Sequence, residues 1–140
     1  MTTIDFYTHV ADRLDVAARL VAKAYAAHGS VRVLTPDRAT TEALDRLLWI
    51  QSALSFLPHC RMDSAIAGET PIWIDEALDH NGPAAVLVNL HDQPAPFFSR
   101  FERLAEIVGT DDDGVAAARE RFRFYRERGY ELRSHNLSDR

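Results

Sequence analysis

Apolar and polar residues alternate from Thr3 to Tyr7, with Ile4 and Phe6 set against Asp5 and Tyr7, which is the two-residue period of a strand. Beyond Asp12 the period lengthens. Leu14, Ala17, Ala18, Val21 and Tyr25 share one stripe of a helix that runs to about His28, where Gly29 is placed to cap it. The short apolar run Val31 to Leu34 predicts a second strand. Thr35-Pro36-Asp37 then supplies a turn and an N-cap for a second helix carrying Leu44, Leu47, Leu48 and Trp49. Two consecutive strand-helix units predict a parallel sheet with right-handed crossovers.

The middle of the chain is less regular. Phe56-Leu57-Pro58-His59-Cys60 is an apolar run broken by proline, and the small polar stretch from Arg61 to Thr70 predicts a loop. Pro71 to Ile74 and Ala84 to Leu90 read as strands. The second is apolar almost throughout, as a central parallel strand covered on both faces must be, and Asn81-Gly82-Pro83 marks the turn before it. Phe97, Phe98, Phe101 and Leu104 have helical spacing, and Ala105 to Val108 reads as a short strand. Thr110 to Asp113 offer capping oxygens and carboxylates for a last helix that ends near Gly129, and Tyr130 to Arg133 could add an edge strand. The expected architecture is α/β: a three-layer, Rossmann-like sandwich with a mostly parallel sheet of about five strands, forming a single domain over residues 1–140.

Length and composition support one folded domain. The 140 residues are 46% hydrophobic and 26% charged, enough apolar matter for a core without disulfides or metal. Cys60 is the only cysteine, so no internal disulfide forms. The N-terminus has no basic region leading into an apolar one, and no run approaches the length of a membrane span, so the expected location is the cytoplasm. A net charge of −5 disfavours direct contact with a phosphate backbone and points away from nucleic acid as a direct ligand.

Several chemistries can then be weighed. The first strand leads into Thr8-His9-Val10-Ala11-Asp12, with no glycine-rich turn for a pyrophosphate, and no phosphate loop of the G-x-x-x-x-G-K type occurs, so no nucleotide cofactor is expected. His59, Cys60, His80 and His91 lack metal-ligand spacing, and no metal is expected. His91 and Asp92 follow the central strand at its carboxyl end, where open α/β sheets place their chemistry; they suit either an acid/base site of a small nucleotide-binding or hydrolytic domain, or a polar loop exit that caps backbone groups. Leu47, Leu48, Trp49, Ile50, Leu54, Phe56 and Leu57 are more apolar matter than one helical face hides, so Trp49, Phe56 and Leu57 belong either to the core or to a partner interface.

The segment from Ala118 to Tyr130 is the most distinctive. Between Arg119 and Arg133 six arginines face only Glu120, Glu127 and Glu131. At about 100° per residue, Val115, Arg119, Phe122 and Arg126 point the same way with Arg123 at their flank, while Ala118 and Tyr125 turn toward the core. Arginine clamps carboxylates through a planar fork and an adjacent ring offers a dry contact, which suits a short acidic peptide with an apolar residue. A solvated charged face is the other reading of the same pattern.

Four groups of residues carry a likeness that runs nearly the full length of the chain: Phe6-Tyr7; Leu44-Asp45 with Leu48-Trp49; Ser55-Phe56-Leu57-Pro58-His59; and Ala118-Arg119-Glu120-Arg121-Phe122 with Tyr125-Arg126 and Gly129-Tyr130. In their order and spacing the chain resembles the chi subunit family of bacterial DNA polymerase III. The resemblance implies a non-catalytic accessory subunit of the clamp-loader assembly that binds the acidic C-terminal tail of single-stranded-DNA-binding protein, and so meets DNA only indirectly. It implies Arg119 as the principal tail-binding arginine, Phe122, Arg123 and Arg126 as its neighbours, Gly129-Tyr130 as a wall after the helix, and Val108 as apolar surface. Val115 stands where the family's well-known members carry a lysine, one cation fewer in the expected site. The resemblance further implies a second interface around Trp49, Phe56 and Leu57, for the psi subunit or an alternative helicase partner.

Overall fold

The computed structural model of the chain describes residues 2–51, 59–60, 72–80 and 84–138. The first strand, β1 (Thr3–Thr8), is followed by helix α1 (Arg13–His28), β2 (Val31–Leu34) and helix α2 (Arg38–Gln51). After these come β3 (His59–Cys60), β4 (Ile72–Asp75), β5 (Val86–Asn89), β6 (Arg103–Ile107), helix α3 (Asp112–Glu127) and β7 (Glu131–Asn136). The predicted loop from Arg61 to Thr70, the Asn81-Gly82-Pro83 turn, and Phe56 and Leu57 lie outside the described residues.

Local chemistry sets the helix boundaries where the sequence placed them. The Asp12 carboxylate accepts the Asp15 N–H, and Gly29 closes α1 with a φ of 84°. Asp37 accepts the Thr40 N–H at 2.8 Å at the start of α2. Asp111 accepts the Gly114 N–H and caps α3. At the other end of α3, Gly129 N–H reaches the Arg126 carbonyl and Tyr130 N–H the Tyr125 carbonyl, with Gly129 at φ 81°; this double closure ends the helix and turns the chain into β7.

The sheet has more strands than the pattern suggested. Seven strands run in the order β3-β4-β2-β5-β6-β1-β7, and every described ladder is parallel. Two of them escaped the sequence reading in part: β3 is two residues long, and β7 extends three residues past Arg133. The segment with helical spacing at Phe97 to Leu104 is a single 3₁₀ turn, Phe98–Arg100, after which Leu104 already belongs to β6. Its aromatics recur on one side because they all drop into the same core, not because the backbone continues as a helix.

Two cores flank the sheet. On one face α1 and α2 cover Val31, Val33, Ile72, Ile74, Val88 and Ile107. On the other, α3 and the Phe97-to-Phe101 turn cover Ile4, Phe6, Leu34, Leu87 and Leu104. The β4-β5 connection is drawn onto this second face by Arg32, a fully buried arginine whose guanidinium donates to the carbonyls of Asp75, Ala77 and Asp79 and lies over the Phe97 ring. Burial lowers its pKa to about 10, against the pull of nearby carboxylates.

The connections reverse direction beside β1. From β1 the chain crosses β6 and β5 to reach β2, with α1 on one face; from β6 it crosses β1 the opposite way to reach β7, with α3 on the other face. At such a reversal the loops leaving two neighbouring strands part to opposite sides and open a crevice at the strands' carboxyl ends. That crevice is where the groove described next is found. The edge beyond it is fastened by Arg133, which clamps Asp5 at 2.9 and 3.2 Å, and by His135, whose Nε2 lies 2.9 Å from the same carboxylate and whose ring stacks on Tyr7.

Candidate functional site

A groove of about 410 Å³ lies at the carboxyl ends of β1 and β6, walled by α3. Its floor is apolar: Phe6 of β1, Val108 just after β6, and Val115 and Ala118 of α3. Phe122 forms one wall, half-buried, its ring meeting that of Phe6 edge-on at 5.2 Å between centroids. Arg119 borders the groove and is exposed. Arg126, one turn further along the helix, holds its guanidinium 5.9 Å from the centre of the Phe122 ring, so the ring is packed by an aromatic on one side and attended by a cation on another. Polar atoms enter from Thr8 and His9 after β1, Thr110 before α3, and Ser134 on β7.

The structure thus brings Val108, Val115, Arg119 and Phe122 together around one hollow, with Arg126 beside it. It does not bring Arg123, Gly129 or Tyr130 there. Arg123 points to the other flank of α3, where it pairs with Glu120 at 3.4 Å and borders a second depression with Asp92, Gln93 and Pro94. The expectation that Arg123 flanks the Phe122 arc is corrected on this point: the wheel puts it at the margin, and its pairing with Glu120 takes it to the far side. Gly129 is spent on closing the helix. Tyr130 packs its ring 5.2 Å from that of Phe98, in the same aromatic group as Phe124 and Tyr125.

What holds α3 at this angle is a buried polar network that the sequence reading did not single out. Glu106 of β6 is completely buried and accepts from Arg121 Nε at 3.0 Å, from Tyr125 Oη at 2.6 Å and from Asn89 Nδ2 at 3.1 Å. Arg121 also donates to the Asp92 carbonyl at 2.7 Å. Burial pushes the Glu106 carboxyl above its ordinary value, against the pull of Arg121 and of the hydrogen bonds it accepts; the same burial, with Glu106 alongside, pushes the Tyr125 hydroxyl up. The available signal was a lone glutamate in the apolar stretch Leu104-Ala105-Glu106-Ile107-Val108, since a carboxylate there needs a cation from another element.

His91 and Asp92 take up backbone work. The His91 Nδ1 accepts the Gln93 N–H at 3.1 Å, the His91 N–H donates to the Asn89 side chain, and the Asp92 carbonyl receives Arg121. This is the loop-exit geometry of the two alternatives. Trp49 and Ile50 are 51% and 65% exposed at the end of α2, beside Glu42, Asp45 and Arg46. Among the described residues no group of three metal-ligating side chains converges, and no helix is long and apolar enough to cross a membrane.

The model of the family described as "DNA polymerase III chi subunit, HolC" matches residues 1–133. The chain belongs to the DNA polymerase III chi subunit family. The DNA polymerase III subunit chi of Pseudomonas aeruginosa is 34% identical over 98% of both chains. The subunit chi of Escherichia coli is 26% identical over 94% of this chain and 88% of its own, and that of Haemophilus influenzae 27% identical over 88% and 86%. The likeness to chi subunits therefore spans both cores, the reversal beside β1 and the groove.

Proposed function

We propose that this protein is a non-catalytic accessory subunit of the clamp-loader assembly that holds the acidic C-terminal tail of single-stranded-DNA-binding protein in the groove between β1, β6 and α3. The observation that carries the reading is the pairing of an exposed arginine, Arg119, with an apolar hollow formed by Phe6, Val108, Val115 and Phe122. A peptide with carboxylates and an apolar terminal residue satisfies both halves at once: the side chain leaves water for the hollow while the carboxylates meet a guanidinium fork. Arg126, stacked beside Phe122, extends the positive border. Membership of the chi family supports the same assignment.

Link and lock are separate tasks in this proposal. Tail capture falls to the groove, and attachment to a psi subunit or an alternative helicase partner falls to the exposed end of α2 around Trp49, with Phe56 and Leu57 following in the sequence. With a net charge of −5 the protein meets DNA through the tail-bearing partner and not by itself. Titration of a fluorescently labelled acidic tail peptide tests the first task. Saturable binding at low salt that weakens as salt screens the arginines is the expected result; no binding at low salt sinks the assignment. For the second task, Trp49→Ala is expected to abolish co-purification of the partner subunit and leave peptide binding unchanged.

A further inference from the structure

Directly after β1, His9 adopts a positive φ of 60°, the one residue other than glycine to do so among the described residues. Left-handed backbone is unfavourable for an L-residue and gathers where the surroundings need a side chain in a particular place. Here the surroundings are fixed on both sides. Val108 N–H donates to the Tyr7 carbonyl at 2.8 Å, Val10 N–H donates to the Val108 carbonyl at 3.1 Å, and Val10 is buried. His9 alone is turned out, exposed, into the lining of the groove that Arg119 borders.

Its ring is held by one nitrogen. Nδ1 lies 3.0 Å from the Thr8 hydroxyl, and that hydroxyl donates to the His135 carbonyl, so its oxygen accepts and Nδ1 carries the proton. Nε2 is then a bare lone pair in the neutral ring and a charged N–H donor in the imidazolium. Arg119 and His9 are the ionisable groups of the groove lining. Around them stand Arg126 over Phe122, Asp12 at the start of α1, and Asp111, Asp112 and Asp113 at the start of α3; Arg13 is engaged by the carbonyls of Leu90 and Ile107.

We infer that His9 is a second carboxylate-binding group of the groove, acting with Arg119 and only when its imidazole is protonated. The inference rests on the tail-binding reading and adds to it a proton. A ligand that prefers the imidazolium binds more tightly as pH falls through the range where imidazoles gain a proton, while its own carboxylates stay ionised. By reciprocity the bound ligand holds that proton more firmly.

The experiment is an anisotropy titration of a labelled acidic peptide with a free apolar C-terminal residue, at constant ionic strength, at about pH 8 and about pH 6. The unaltered protein is expected to bind about threefold more tightly at the lower pH, the size of one added exposed ion pair. His9→Asn tolerates left-handed backbone and cannot titrate, so it should bind equally at both values. The midpoint of the His9 imidazole signal, followed by NMR, should move upward when the peptide is bound. Binding without a pH response, or a response that persists in His9→Asn, overturns this role and leaves tail binding standing. No binding at either pH in low salt overturns both.

Discussion

Arg119 and Arg121 sit two residues apart on α3 and live in opposite worlds. Two positions turn a helix by about 200°, enough to send one guanidinium to the groove and the other into the interior. Arg121 is 3% exposed, bonded to the Glu106 carboxylate and the Asp92 carbonyl, and surrounded by the Tyr125 and Asn89 bonds to the same glutamate. Arg119 borders the groove and stays in water. The difference teaches that an arginine-rich stretch is not a single surface. Of its other members, Arg126 attends Phe122, Arg123 is matched by Glu120, and Arg128 lies 3.5 Å over the Phe124 ring while donating to the Phe124 carbonyl. The charge excess counted along the sequence overstates what a ligand meets.

Four substitutions bear on that division. The largest effect belongs to Arg121→Ala, which strands the Glu106 carboxylate in the core and should lower the unfolding free energy in urea by about 3–5 kcal/mol. A loss below about 1 kcal/mol would put Arg121 on the same footing as a surface arginine and erase the contrast. Next comes Arg119→Ala, expected to weaken tail-peptide binding about tenfold while shifting stability by no more than about 0.5 kcal/mol. Equal binding by wild type and variant would remove Arg119 from the site. Val115→Lys adds a cation at the groove and should tighten binding about threefold, more at low salt than at high. Arg123→Ala is expected to change affinity less than about twofold, since Arg123 faces the other flank with Glu120; a loss as large as that of Arg119→Ala would reunite the two faces.

How much of this was legible depends on the range of the interaction. Helix ends were readable because caps act within four residues: Asp12, Asp37 and Asp111 at the starts, Gly29 and Gly129 at the ends. Strands with apolar runs, such as Val31 to Leu34 and Val86 to Asn89, announced themselves by composition. The two-residue β3 and the full length of β7 did not, because a strand at a sheet edge is set by its partner's register and not by its own pattern; the exposed, polar β7 follows β1 residue for residue from Thr3–Glu131 to Thr8–Asn136. The helical wheel gathered Val115, Arg119 and Phe122 on one arc because period alone decides that. It could not gather His9, Thr8 and Val108 beside them, since those arrive from strands about a hundred residues apart whose adjacency is a property of topology. Nor could it distinguish Arg121 from its neighbours without Glu106, fifteen residues earlier and on another element.

The position of β1 in the sheet has a consequence for how the molecule comes into being. Its six residues are among the first to leave the ribosome, yet both neighbours in the sheet, β6 and β7, lie at residues 103–107 and 131–136. Until those are synthesised the first strand has no edge to pair with, and loops of this length close slowly. The groove, whose walls come from β1, β6, α3 and β7, therefore takes shape last. A nascent or truncated chain can assemble α1 and α2 against β2, but it offers nothing to an acidic tail, so ligand binding doubles as a proofreading mark for a finished fold.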